Sequence, residues 1–186
     1  MRRARALLAP ALLTAACAGS SVSWTSGKEA IGRDAPAAEP ITLHCEAGSM
    51  QTITAGNGNF EFQLPPTWSH QISGDNWEVT AEHPDGGIQL RVLGGLTAEA
   101  ASAEKELRRK ALGKTLLTQA WVDERDDEGL TADAAFETDE SVGAVRLLIR
   151  PGGYLIVQAE FWSAFDDGCA GRLSAMMESV RFLAKD

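Results

Sequence analysis

Hydrophobic and polar residues alternate one by one along much of the chain. Phe60, Phe62 and Leu64 are separated by Glu61 and Gln63. That period of two belongs to a strand with one face buried. Pro65-Pro66 ends the run, and Trp68 follows where it would cover an edge strand. Trp77, Val79 and Ala81 then alternate with Glu78, Thr80 and Glu82, and Ile88, Leu90 and Val92 alternate with Gln89 and Arg91. Between them Pro84-Asp85-Gly86-Gly87 carries the residues of a tight turn, so the two runs form a hairpin. Upstream, Ile41 to Cys45 also has strand character.

The period then lengthens. Gly94-Gly95 is expected to break the strand, and Thr97 offers a helix N-cap. Ala100, Ala103, Leu107 and Ala111 share one helical face, with Gly113 suited to its C-terminus. Strands resume around residues 117–122. The run Asp123 to Glu128, followed by Gly129, reads as an acidic turn. Ala132, Ala134 and Phe136 alternate with Thr131, Asp133 and Glu137. Val145, Leu147 and Ile149 lead into the turn Pro151-Gly152-Gly153, and Leu155, Val157, Ala159 and Phe161 form the return strand. Asp166-Asp167 caps a last helix whose Leu173, Met176, Met177, Val180 and Leu183 lie on one stripe. The sum is an α+β fold, a mainly antiparallel β-sheet flanked by two or more helices, in one domain over residues 41–186.

The N-terminus has a different logic. Arg2, Arg3 and Arg5 precede an apolar stretch from Ala6 to Ala16. It is far shorter than the roughly 20 residues that span a bilayer and has the shape of a signal peptide over residues 1–16. Ala15, Ala16 and Cys17 resemble the bacterial lipoprotein signal, with Thr14 where leucine is usual and Leu13 one place early. The resemblance implies lipidation of Cys17 and anchoring to the membrane. Ala18, rather than aspartate, after the cysteine implies the outer membrane, facing the periplasm. The competing reading is ordinary cleavage at Ala16-Cys17-Ala18, which would release a soluble periplasmic protein. Residues 17–40, rich in Ser, Gly, Ala and Pro, read as a flexible tether with a reach of roughly 25 Å.

Composition sharpens this picture. The chain carries 17 basic and 26 acidic residues, a net charge of −9. Such a surface disfavours nucleic acid as a partner. The one dense basic run, Arg108-Arg109-Lys110, lies beside Glu104 and Glu106 in the expected first helix and reads as a solvated face. With Cys17 taken by lipid, Cys45 and Cys169 remain as a pair in an oxidising compartment, and a Cys45–Cys169 disulfide is expected.

Several features together resemble the PsbP-like fold family, which includes photosystem II extrinsic proteins, a Mog-type nuclear transport factor and DcrB-type bacterial lipoproteins. They are the run Phe60-Glu-Phe-Gln-Leu-Pro-Pro-Thr-Trp68, the helix after the hairpin, the turn Pro151-Gly152-Gly153-Tyr154 and the segment Ser179-Val-Arg-Phe182. The resemblance covers about residues 58–183. It implies a PsbP-like sandwich that docks onto a larger complex rather than catalysing a reaction.

Candidate chemistry is sparse. His44, His70 and His83 are scattered, and no zinc spacing joins any of them to a cysteine. No nucleophile-elbow or phosphate-loop spacing occurs, and the acidic run from Asp123 fails the calcium-loop template at its third and sixth positions. Catalytic residues, cofactors and metals are therefore expected to be none. Two functions fit. The first is a membrane-anchored docking or assembly module for an envelope protein partner, whose surface could use Trp68, Trp77 or Trp162. The alternative is a periplasmic small-ligand carrier or sensor with a pocket between sheet and helix, lined by Met176 and Met177.

Overall fold

The computed structural model describes residues 43, 45, 48–97, 102–113, 116–162 and 166–183. The expected signal peptide and tether, Cys17, His44 and most of the first expected strand lie outside the described residues. In chain order the elements are β1 (Gln51–Ala55), β2 (Phe60–Leu64), β3 (Ser69–Ser73), β4 (Glu78–Glu82), β5 (Ile88–Leu96) and α1 (Glu104–Leu112). Then follow β6 (Leu116–Leu117), β7 (Val122–Asp126), β8 (Gly129–Glu137), β9 (Val142–Arg150), β10 (Gly153–Phe161), α2 (Asp167–Glu178) and β11 (Arg181–Phe182). The expected α+β arrangement of mainly antiparallel strands with two helices is present.

The strands form two sheets. One has three strands in the order β1-β2-β11; the other has eight, ordered β3-β4-β5-β10-β9-β8-β6, with β7 also paired to β8. The long central strands make the larger sheet two-faced. Leu155, Val157, Ala159 and Phe161 of β10 join Ile88, Leu90 and Val92 of β5 in one core, shared with Phe60, Phe62 and Leu64 of the small sheet and with Leu173, Met176 and Met177 of α2. Ile156 of β10 and Val145, Leu147 and Ile149 of β9 face the other way, onto Leu107 and Ala111 of α1. The period-two alternation thus feeds both layers. Each fully buried Leu, Ile or Phe contributes about 1.5–3 kcal/mol, which explains why the two clusters lie along the longest strands.

Several local expectations are corrected. Gly94-Gly95 does not break the strand: β5 runs through both to Leu96, with Gly94 opposite Leu155 and Gly95 opposite Tyr154. A Cβ on Gly94 would lie 2.7 Å from the Trp77 ring, and one on Gly95 would lie 2.8 Å from the Tyr154 ring. These glycines make room for aromatic rings lying across the sheet. Thr97 is not the N-cap of α1. The helix starts at Glu104, with Ala103 at the cap and no side-chain capping bond. The acidic run is mostly strand, since Val122–Asp126 is β7, wholly exposed and paired with β8. Only its end turns, with Asp126 Oδ1 accepting from the amides of Glu128 and Gly129. β2 is the centre of its sheet, not an edge, because β1 and β11 flank it.

Other expectations match. Gly113 ends α1 with a positive φ of 57°. Asp166 caps α2, its side chain accepting from the Cys169 amide at 2.8 Å.

Candidate functional site

The cleft that gathers the most chemistry sits where two turns meet α2. β2 gives way to Pro65-Pro66-Thr67-Trp68, closed by the Trp68 amide donating to the Pro65 carbonyl at 3.1 Å. β4 gives way to His83-Pro84-Asp85-Gly86, closed by the Gly86 amide donating to the His83 carbonyl at 2.8 Å. Proline fixes φ in both turns, so their side chains are held on stiff backbone. The third wall is α2, to which Cys45 is joined by the Cys45–Cys169 disulfide. Cys169 is fully buried in the core, and Arg172 follows one helical turn later.

The cleft encloses about 260 Å³ and is lined by Cys45, Pro65, Thr67, Trp68, His83, Pro84, Asp85 and Arg172. Trp68 is only 4% exposed and packs edge-on against the His83 ring, with centroids 5.6 Å apart. His83 is 6% exposed. Its Nδ1 accepts from the Asp85 amide at 3.2 Å, which in the neutral ring leaves the proton on Nε2. Arg172 donates through Nη2 to the Gly48 carbonyl at 2.9 Å. Its Nε is buried and has no hydrogen-bond partner. Every other described arginine has a carboxylate within 4.0 Å: Arg91, Arg108, Arg109, Arg125, Arg146, Arg150 and Arg181. Among the described residues the cleft therefore offers donors and apolar walls, with Asp85 the one acidic side chain.

Charge on the opposite layer is spent internally. Glu104 of α1 takes Arg108 and Arg125, each at 2.8 Å. The hydrogen bond from Arg125 holds the Glu104 carboxyl below the ordinary glutamate value; burial opposes it, and the hydrogen bond and charge of Arg108 add to the lowering. Arg108 also reaches Asp123 at 2.8 Å and lies over the Trp121 ring, 4.8 Å from its centroid. Arg109 pairs with Glu106. Lys110 donates to the Tyr154 hydroxyl at 2.8 Å. The basic run is thus only partly the solvated face expected: Arg108 is 17% exposed and ties α1 to β7.

The disulfide pair is brought together as expected, and Cys45 also lines the cleft. Of the three histidines, His70 is exposed on β3 and His83 is buried, and His44 lies outside the described residues. Of the tryptophans named as partner surface, Trp68 is buried and Trp77 packs 5.9 Å from the Phe60 ring; Trp162 is 45% exposed. Met176 and Met177 are core, at 0% and 4% exposure. Sequence reasoning missed Arg172. Its one signal was a cation placed three residues after a disulfide cysteine on the same helix.

No protein-family model matches the sequence, and no curated protein matches it. Among solved structures the chain is similar to the solution structure of cyanobacterial PsbP (CyanoP) from Synechocystis sp. PCC 6803, at 14% identity and a TM-score of 0.49, covering 74% of this chain and 95% of that one. It is also similar to a crystal structure from Bacteroides thetaiotaomicron, at 13% identity and a TM-score of 0.42, covering 72% of this chain and 48% of that one, about half its length. Neither likeness brings a ligand, partner or activity to this chain.

Proposed function

We propose that this protein is a non-catalytic docking module of the cell envelope, a PsbP-like domain held to the membrane by lipid on Cys17 and presenting its cleft to a partner protein. One observation carries the reading over the carrier alternative. The space between sheet and α2, where a carried ligand would lie, is filled by Phe60, Phe62, Phe161, Leu173 and Met176, each at most 1% exposed. The open cleft, about 260 Å³, is smaller than the roughly 300–1,000 Å³ of pockets that enclose a drug-sized ligand. It suits a side chain or chain end of something larger. The Cys45–Cys169 disulfide supports an oxidising compartment, and residues 17–40 would give the domain reach from its anchor.

The test is cross-linking in whole cells that express tagged protein, with Cys17→Ala as control. A specific envelope protein recovered with the native chain and lost with the variant is the expected result. Recovery of no envelope protein in either strain overturns the docking role, and a small molecule of defined mass retained in native mass spectrometry would establish the carrier reading instead.

A further inference from the structure

We propose that the cleft takes the C-terminal residue of a partner polypeptide, its carboxylate between the Arg172 guanidinium and the His83 Nε2–H, its side chain against Trp68, Pro65 and Pro84. The inference rests on the docking role and names what docks.

Charge gives the first argument. On a chain with net charge −9, Arg172 is the one described arginine without an ion-pair partner. Its Nε is buried with no acceptor, an arrangement that native structures rarely leave unexplained. Arginine presents a planar fork matched to a carboxylate, and a modest turn of the side chain toward the cleft would satisfy Nε and add a charge-assisted bond. Asp85, though it lines the same cleft, forms no ion pair with Arg172.

The second donor is independent of the first. His83 is more than nine-tenths buried and lines the cleft. The Asp85 amide occupies Nδ1, and no described residue pairs with Nε2. A guanidinium and an imidazole N–H beside one small space call for a two-oxygen acceptor.

Size and wall chemistry select the source. The cleft has room for about one residue, and its other walls are the Trp68 ring, Pro65 and Pro84. A bare carboxylate such as acetate would leave those walls unused. An internal glutamate would bring its carboxylate on a short polar arm with the main chain running on past the cleft. A C-terminal apolar residue supplies carboxylate and apolar side chain together, from a chain that ends there.

The test uses the full chain purified in detergent and a fluorescein-labelled peptide Gly-Ser-Gly-Ser-Leu with a free C-terminal carboxylate, followed by anisotropy. The same peptide ending in an amide is expected to bind about tenfold or more weakly, the loss typical of one charge-assisted bond. Arg172→Gln should weaken the free-acid peptide by a similar factor, and Arg172→Lys, which keeps the charge but not the fork, by less. Asp85→Asn should strengthen it about two- to fivefold, a gain that a misfolded variant could not show. Equal binding of acid and amide, or no change in Arg172→Gln, overturns the proposal. So does an amidated peptide with an internal glutamate that binds as tightly, or acetate that competes at the peptide's own concentration. The two readings fail separately: a partner cross-linked equally by native protein and Arg172→Gln keeps the docking role and rejects this site, whereas no partner at all rejects the docking role.

Discussion

Reducing the Cys45–Cys169 bond should remove a large part of this protein's stability. The cysteines are 124 residues apart. In the chain-entropy model, closing a loop of that length removes about 16 cal/mol/K from the unfolded chain, or about 4.9 kcal/mol at room temperature. A domain of this kind is held by about 5–15 kcal/mol in all. The folded side changes less, because Leu43 stays 3% exposed in the core, its carbonyl accepts from the Asp166 amide at 3.2 Å, and Arg172 holds the Gly48 carbonyl. The assay is urea unfolding with and without a phosphine reductant, the thiol count confirmed by mass spectrometry. With a urea dependence of about 2 kcal/mol/M, the midpoint should fall by about 2.5 M. The slope should rise, since the reduced unfolded chain exposes more surface. Coincident midpoints in samples whose thiol states differ would refute the reasoning. A small shift with fast exchange at the Asp166 amide would mean that reduction frees only the segment before Gly48.

Three further outcomes follow from the geometry. Asp133 is 2% exposed and takes Arg146 through both oxygens, at 2.8 and 3.0 Å; Asp133→Ala should cost about 3–5 kcal/mol in chemical unfolding, and Asp133→Leu with Arg146→Met should recover most of it. A Cβ on Gly143 would lie 2.4 Å from both the Ala159 carbonyl oxygen and Phe136 Cζ, so Gly143→Ala in the central strand β9 should cost about 1–3 kcal/mol, read as a fall of several degrees in Tm by circular dichroism. Glu104 is held below the ordinary glutamate value, first by Arg125. Its contribution is therefore full above the ordinary value and lost as pH falls through the lower folded value; Glu104→Gln should be less stable than wild type by at most about 1 kcal/mol at neutral pH, with the two stability curves converging in acid.

The parts of the fold legible in the sequence were those whose physics is local. Val157, Ala159 and Phe161 alternate because a strand in a two-layer core must alternate, and the burial of each follows. Asp166 caps α2 through an amide three residues away, well within a sequence window. The misreadings have one source. Gly94 and Gly95 look like breakers when taken alone; they are strand residues because Trp77 and Tyr154, distant in sequence, lie across them. β7 looks like a turn because nothing in it is buried, and only pairing with β8 makes it a strand. β3, exposed at every position, carries no alternation for the same reason.

Fold class, the pairing of Cys45 with Cys169, and the stripe of α2 came from the sequence by itself, because hydrophobic period and cysteine count are properties of the chain. The cleft did not. It exists because β2 and β4 end side by side and α2 closes over them, bringing Arg172 within reach of a histidine and a tryptophan that no spacing relates to it. Whether a cation finds a carboxylate depends on neighbours in space: seven described arginines found one, and the tertiary structure alone decided that Arg172 would not.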